Sequence, residues 1–269
     1  MELGFSVEDL VPLARGAGAL RMGLTRVSET EWLWPEFDAV ARRDVFAAHP
    51  KSVIILPGAE AAAHEAAQLV AGRETLDGAA VAVWEDLCVL QADDAGQYRL
   101  TAAALGFPTD WHLSEKMGCG LTAIHAPIHG YAEQLASGVD HFFATLEPGP
   151  IYGRANWFVV ASDAARYLPT DAPETRFAHV TPTNAGETLF VRCERQTLRR
   201  LPGTGGVLFT IGIAVTPLER LSAGLIARIA ANVVGLGDGE HERRAAPHYA
   251  EALAAYAASR GVQDLETAA

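Results

Sequence analysis

Residues 107–131 hold most of the side chains in this sequence that could do chemistry. The segment reads FPTDWHLSEKMGCGLTAIHAPIHGY and contains three histidines, among them His125 and His129, together with Pro108 and Pro127. Imidazole nitrogens bind metal ions and transfer protons near neutral pH, and prolines restrict the backbone that presents them. The segment is therefore a candidate ligand or acid–base site. The alternative is that its histidines are surface groups or hydrogen-bonded core groups.

Residues 191–203, VRCERQTLRRLPG, form a second unusual segment, because arginines cluster there in an acidic chain. The charged residues of the cluster are Arg192, Glu194, Arg195, Arg199 and Arg200. A guanidinium group can bind a carboxylate or phosphate through two parallel hydrogen bonds. The cluster is consistent with an anion-binding site, and also with a solvated face in which Glu194 neutralises the arginines.

Several familiar catalytic motifs are absent from the sequence. It contains neither a GxSxG nucleophile turn nor an HEXXH zinc motif. Cys88, Cys119 and Cys193 are far apart and form no CxxC pair. The chain alone therefore cannot supply four thiolates to a zinc site or an iron–sulfur cluster. The LPGTGG run at 201–206 lacks the Lys-Ser/Thr of a phosphate loop, and it predicts a turn.

Composition limits the class of protein. The chain has 269 residues and a formal net charge of −12, which disfavours nucleic acid as a general partner because phosphate binding needs a positive surface. No apolar run approaches the roughly 20 residues that span a bilayer. The N-terminus carries acids where a secretory signal peptide carries bases. We therefore expect a cytoplasmic protein with neither a nucleic-acid nor a membrane partner.

Hydrophobic periodicity predicts an α+β fold with one mostly antiparallel sheet of five strands, since regular helices do not separate the strands as in βαβ units. The predicted strands cover residues 79–91, 98–106, 156–161, 188–194 and 206–215, and a short β-branched run lies at 52–56. The predicted helices cover residues 59–71, 131–146, 217–233 and 247–259.

Two local patterns make sharper predictions. Thr216 would cap the third helix, with Pro217 at its first position and Glu219 completing a capping box. Side chains alternate across a strand, so Glu194 would leave one face of the sheet and Arg195 the other.

Five motifs occur in the order and approximate spacing of a known family. They are WEDLCVL, YRLTAAALGFPTDWHLSEKMG, IHAPIHGY, RANW and VRCERQTLRRLPGTGGVLFTI. Over residues 82–217 the chain resembles the haem-dependent oxidative N-demethylase family, in its catalytic, alpha-subunit-like members. MGL at 22–24 and the region of Trp32 resemble the family's N-terminal part more weakly.

The resemblance implies a PAS-like fold that holds haem b in a single domain over residues 1–269. That domain would comprise a helical lead-in at 1–78, a PAS-like core at 79–217 and C-terminal helices at 218–269. The implied reaction is oxidation by O₂ of the N-methyl group of a small secondary amine, giving a carbinolamine that collapses to formaldehyde and the demethylated amine. A separate flavin and iron–sulfur reductase would supply the electrons, and both homo- and hetero-oligomers are open.

Two other functions remain as alternatives. A haem-binding, PAS-like gas or redox sensor would use the same pocket without turnover, although a sensor normally needs an output domain and the chain leaves little room for one. An interaction module without haem would carry the histidines and arginines as solvated surface.

His125 stands at the family's motif histidine, so the resemblance implies that it is the axial ligand of the iron. His129 stands where the family usually has a second proline, which makes it a rival ligand or a distal acid. We expect Glu194 and Tyr131 in the active pocket, with Glu194 accepting a hydrogen bond from the cationic amine. The residues expected to hold the cofactor, with Arg154 or Arg199 on its propionates, are Arg154, Asn156, Arg195, Arg199 and Arg200.

Overall fold

A computed structural model describes residues 3–14 and 20–267, and its centre is one open antiparallel sheet, in agreement with the predicted α+β class. The strands of the described residues are β1 (Thr25–Val27), β2 (Val53–Ile55), β3 (Asp86–Ala92), β4 (Tyr98–Ala104), β5 (Ile151–Val160), β6 (Phe190–Arg200) and β7 (Val207–Pro217). Their order is β1-β5-β6-β7-β3-β4-β2, so the sheet has seven strands instead of the five predicted. The short strands β1 and β2 form its two edges.

Tight turns join the long strands at the predicted places. β3 and β4 form a hairpin around residues 93–97, where Gly96 has a φ of 78°. β6 and β7 pair along their whole length, from Phe190 opposite Pro217 to Arg200 opposite Val207. The turn between them is the predicted one at 201–206, and Gly205 has a φ of 72° there, a conformation that glycine adopts without a steric penalty.

Helices precede, interrupt and follow the strands. Those of the described residues are α1 (Val7–Leu13), α2 (Ala39–Ala48), α3 (Glu60–Ala71), α4 (Leu76–Ala80), α5 (Leu113–Lys116), α6 (Leu121–Ile124), α7 (Tyr131–Gln134), α8 (Ala136–Thr145), α9 (Pro173–Arg176), α10 (Ala185–Thr188), α11 (Ala223–Val234), α12 (Asp238–Arg243) and α13 (Ala250–Thr267). Single 3₁₀ turns lie at Glu29–Glu31, Pro50–Ser52, Leu218–Arg220 and Ala246–His248. None of the helices in the described part of the chain is long and apolar enough to cross a membrane.

The two faces of the sheet are covered by different helices. On one face α1 packs on β5, β6 and α11, and α11 packs on α13. Side chains such as Val191 and Cys193 of β6 belong to the core on that face. On the other face, apolar side chains of α5, α6 and α8 meet Leu198 of β6 and Ile211 of β7. This second face carries the largest group of chemically reactive side chains, as described below.

The predicted helix at 131–146 is two helices in the structure. Leu135 has φ −123° and ψ −33°, which breaks the segment into α7 and α8. Tyr131 of α7, Phe143 of α8 and Leu146 at its end are all buried, so both helices pack an apolar side inward.

Two other boundaries were wrong. The predicted strand at 79–91 begins only at Asp86. Its first two predicted residues belong to α4 instead, a helix that Thr75 caps by accepting a hydrogen bond from Gly78 N. Thr216 and Pro217 remain in β7, where they pair with β6. The helix that they were expected to start begins later, with Ser222 as its cap.

Candidate cofactor site

A cavity of about 360 Å³ lies on the sheet face that α6 and α8 cover, and we call it the main cavity. Its size falls in the range of small-molecule and cofactor pockets. Its walls are largely apolar and include Leu90, Leu100, Phe142, Leu198, Phe209 and Ile211. An apolar interior excludes water and strengthens the electrostatic effect of the few polar groups within it.

His125 lines the main cavity, and a hydrogen bond fixes its tautomer. Its Nδ1 lies 2.8 Å from the carbonyl oxygen of Leu121. A carbonyl can only accept, so Nδ1 carries the proton and Nε2 keeps its lone pair. Burial lowers the pKa of His125, and the charges of Arg154 and Lys116 act in the same direction. A neutral imidazole held by a backbone carbonyl is the usual arrangement of a metal-ligating histidine.

Tyr131 packs directly against this imidazole. The two rings are stacked with centroids 4.4 Å apart and an interplanar angle of 14°. Tyr131 is buried, and its hydroxyl has no hydrogen-bond partner within the described residues. Burial raises the pKa of Tyr131 to about 12, so the hydroxyl stays protonated. A buried hydroxyl without a partner is costly, and a ligand in the main cavity could satisfy it.

Four polar residues of β5 and β6 form a patch on the sheet floor of the main cavity, and we call them the polar patch. They are Arg154, Asn156, Glu194 and Gln196. Asn156 is directly opposite Glu194, and Arg154 is directly opposite Gln196. Directly opposed side chains on one face have Cβ atoms roughly 5 Å apart, so the four form one group. The predicted alternation is confirmed, since Glu194 and Arg195 leave opposite faces of β6.

Glu194 is the carboxylate of the polar patch and is 8 % exposed. Its Oε2 accepts a hydrogen bond of 2.9 Å from Gln196 Nε2. Among the described residues, no cation lies within ion-pair distance of the Glu194 carboxylate. The Glu194 charge nevertheless acts on the neighbouring Arg192, where it opposes the lowering of the guanidinium pKa by desolvation.

Arg192 leaves β6 toward the same face and holds a loop that borders the main cavity. It is fully buried, and its guanidinium donates to Thr109 Oγ1 at 2.8 Å, to Phe107 O at 2.9 Å and to Ala164 O at 3.1 Å. Desolvation lowers the pKa of Arg192 to about 10, which leaves it charged at neutral pH. Its bonds fix the backbone beside Asp110, which lines the main cavity in a left-handed conformation with φ 57°.

Arg195 and Arg199 lie on the opposite face of the sheet. Arg195 donates to Gly4 O and Trp32 O at 2.8 Å each and to Glu31 O, so it ties the N-terminal segment to β6. Arg199 forms an ion pair of 2.6 Å with Glu29. The sheet separates both arginines from the main cavity. The even-numbered residues of β6 face the cavity, and the odd-numbered residues leave the opposite face.

Two further predicted residues do not line the main cavity. Arg200 shares its face, but its guanidinium is used by Leu146 O at 2.7 Å, Tyr98 Oη at 2.5 Å and Gly205 O at 2.6 Å. His129 is exposed, and its ring lies beside Gly239 of α12. Of the two histidines proposed for the iron, only His125 lines the cavity.

A charged rim closes the main cavity and was not expected from the sequence. It consists of Glu240 and Arg243 of α12 and of Arg244, which directly follows that helix. Lys116 of α5 lies nearby. Both Arg243 and Arg244 bind the Glu240 carboxylate, at 2.8 and 3.2 Å. These bonds lower the pKa of Glu240 to about 2 against the opposing effect of burial. Asp110 lines the same cavity and is a second carboxylate within the field of Arg243.

A mostly apolar cavity with a neutral imidazole, a carboxylate that has no ion pair among the described residues, and guanidinium groups at its rim is typical of a pocket for a prosthetic group or small organic ligand. The chain belongs to the haem-dependent oxidative N-demethylase, alpha subunit-like family, whose model matches residues 70–254. The match extends beyond the motifs on both sides and includes all of the main cavity that β3 to β7 and α12 provide. No curated protein matched the chain.

Proposed function

We propose that this chain binds haem b in the main cavity and uses O₂ to oxidise the N-methyl group of a small secondary amine, releasing formaldehyde. The observation that carries the proposal is Glu194, a carboxylate without an ion pair among the described residues, in the same apolar cavity as the neutral His125. A small amine is cationic at neutral pH, and a carboxylate in a dry pocket is its natural acceptor.

The residues present fit a haem group. His125 would bind the haem iron, because it lines the main cavity and its Nδ1–H bond to Leu121 O leaves the Nε2 lone pair unprotonated. Haem b carries two propionates, which need cationic partners when buried. Arg154, Arg243 and Arg244 line the same cavity and would hold them. When bound, haem would supply the O₂ chemistry, and the protein would supply ligation, orientation and electrostatics.

The polar patch would bind and orient the amine. Gln196 holds Oε2 of Glu194, which leaves Oε1 to accept the N–H of the substrate. Asn156, directly opposite, would fix the other side of the amine. Tyr131 would donate its unpaired hydroxyl to a ligand oxygen, since its raised pKa keeps the proton in place. The apolar walls would exclude water and admit small alkyl groups.

A PAS-like fold is part of this proposal. The five long strands lie in the order β5-β6-β7-β3-β4, so the first and the last of them are neighbours at the centre. Helices α5 to α8 are inserted between the second and third long strands and cover the cavity. Both features support a sheet that holds its ligand against one face. A gas sensor would need no carboxylate for a cationic ligand, so Glu194 favours the enzyme over the sensor.

The proposal is tested by Glu194→Gln, which preserves shape and removes the charge. We expect haem content and the Soret band to be retained, the affinity for a small secondary amine to fall at least about tenfold, as for loss of a charge-assisted hydrogen bond, and turnover to be lost. The matched control is Glu187→Gln on the other side of the sheet, where the carboxylate is exposed. Unchanged amine affinity and turnover in Glu194→Gln would contradict the assigned role.

A further inference from the structure

A second cavity, of about 380 Å³, lies on the far side of the loop that borders the main cavity. We call it the Arg166 cavity. Its polar lining comes from the turn Pro50–Ser52, from the loop that carries His112, and from Arg166. Trp111 lines both cavities and therefore stands between them. None of the roles proposed above uses this second cavity.

The lining of the Arg166 cavity is cationic in a chain whose net charge is −12. Arg166 and Lys51 contribute fixed positive charges, and His49 and His112 add two imidazole side chains. None of the described residues that line this cavity is an aspartate or a glutamate. The sequence contains only two lysines, and each of them lines one of the two cavities.

Hydrogen bonds hold the guanidinium of Arg166 in place, and some of its N–H donors have no acceptor among the described residues. Nη1 donates to Gly106 O at 2.9 Å and to Ser52 Oγ at 3.3 Å. Among the described residues, no acceptor binds its Nε or Nη2. Arg166 is half-buried, and this desolvation lowers the pKa of its guanidinium. A fixed, partly buried fork with spare donors suits bidentate binding of a carboxylate or phosphate.

The nearest acid does not neutralise this charge. The charge of Asp86 acts on Arg166, but the Asp86 carboxylate already binds other groups. It accepts from Gly106 N at 2.7 Å and Phe107 N at 2.8 Å, and it forms a buried ion pair of 2.7 Å with Arg42. The positive charge in the Arg166 cavity is therefore left for a ligand.

The remainder of the lining is apolar and aromatic. Leu105 and Leu113 are buried beneath the cavity, and Trp111 presents part of its ring system. A bare inorganic anion would leave these surfaces uncovered, whereas an organic anion would use them as well as the charge.

We propose that the Arg166 cavity binds a small organic oxyanion, a carboxylate or phosphate attached to an apolar body. Arg166 and Lys51 bind the oxyanion, and Trp111 and the leucines contact the body. The site is independent of haem and of the amine, and it goes beyond the function proposed above.

Calorimetric titration of the full-length chain, as purified, tests the site with benzoate, inorganic phosphate and the neutral isostere benzamide. We expect benzoate to saturate one site below about 10 mM, a weak but specific affinity. Benzamide should bind at least about tenfold more weakly, because it lacks the charge. Benzoate should also bind more tightly than phosphate, because of its ring. Equal affinities for benzoate and benzamide, or no saturation by either anion, would overturn the proposal.

Variants locate the binding. Lys51→Gln removes an exposed charge at little risk to folding, and Arg166→Lys keeps the charge but removes the fork. Each should weaken benzoate binding about tenfold, whereas Arg43→Gln, an exposed cation on α2, should not. An unchanged affinity in Lys51→Gln, or equal weakening by Arg43→Gln, counts against the site. A shift of the haem band over the same benzoate range would place the anion in the main cavity instead and would also reject it.

Discussion

Neighbouring residues of β6 have opposite roles because successive side chains leave opposite faces of a strand. Glu194 faces the main cavity, whereas Arg195 crosses to the N-terminal segment and binds three of its carbonyl groups. Arginines that look alike in sequence are therefore divided by the sheet. Charge and spacing indicated that this segment is unusual, but they could not tell a ligand-binding guanidinium from one that satisfies backbone carbonyls.

Arg195→Gln should reduce stability and spare the cofactor. The buried Trp32 carbonyl and the partly buried Gly4 carbonyl would lose a charged donor, and an unsatisfied buried acceptor costs about 1–3 kcal/mol. We expect the free energy of unfolding to fall by about 3 kcal/mol, measured by urea denaturation, while the folded variant keeps its haem spectrum. Loss of haem at unchanged stability would restore Arg195 to the cofactor site.

His125→Ala should remove the axial ligand, and His129→Ala should not. Only His125 lines the main cavity, and its Nδ1–H bond to Leu121 O leaves Nε2 for iron. We expect His125→Ala to lose most of its haem or to show an altered ferric spectrum, measured by pyridine haemochrome content and absorbance. His129→Ala is the matched control, and the reverse pattern in the two variants would make His129 the ligand.

At the scale of elements, periodicity predicted the interior of the strands better than their ends. Alternation along β6 correctly predicted that Glu194 and Arg195 leave opposite faces of the sheet. The start of the following helix was wrong, although Thr216-Pro217 has good capping chemistry, because pairing with β6 holds both residues in β7. A cap is a local signal, and strand pairing across many residues outweighs it. The short edge strands carry too few residues to show a period.

α12 shows a second limit of sequence reasoning. Its charged run at 240–244 has the composition of a solvated helix face. In the structure Glu240 binds both following arginines, and Arg244 also donates to Trp157 O at 2.7 Å, so the run closes the main cavity. Only the docking of α12 on β5, which no local pattern predicts, makes these residues part of the site.

Glu240→Gln should weaken the protein and change its response to acid. Hydrogen bonds and the charges of Arg243 and Arg244 lower the pKa of Glu240 from 4.5 to about 2. A lowered pKa stabilises the fold above pH 4.5, and this stabilisation is lost as the pH falls from 4.5 toward 2. We expect Glu240→Gln to lose about 1–2 kcal/mol at pH 7, allowing for solvent screening. Its stability should also depend less on pH below 4.5 than that of wild type. Parallel acid limbs in thermal unfolding would contradict the ion-pair role.

At the scale of the whole molecule, the two faces of the sheet have different roles. One face is a closed core that includes α1, α11 and buried Cys193. The other face carries the main cavity and, beyond Trp111, the Arg166 cavity. A family match over residues 70–254 covers the five long strands and leaves the first 69 residues outside it, among them Lys51 and Ser52 of the Arg166 cavity. Arg195 then explains how the N-terminal segment stays attached to the sheet.

The chain should not sustain turnover with a nicotinamide alone. Oxidation of an N-methyl group by O₂ consumes two electrons and two protons besides the substrate. The chain has three cysteines, and burial raises the pKa of the Cys88 and Cys193 thiols, so these two stay protonated and are poor thiolate ligands. No iron–sulfur relay with four thiolates can therefore form from this chain, and we expect a separate reductase to deliver the electrons.

The measurement is formaldehyde release from the haem-loaded chain with amine, O₂ and NAD(P)H. We expect no sustained release until a flavin and iron–sulfur reductase is added. A chain reduced chemically in advance should yield at most about half an equivalent of formaldehyde per haem on exposure to O₂ and amine, because each turnover consumes two electrons and the haem stores one. Glu194→Gln serves as the matched control, since it should give no formaldehyde under either condition. Many turnovers from the purified chain and NAD(P)H alone would show that the electrons enter by a route within this chain.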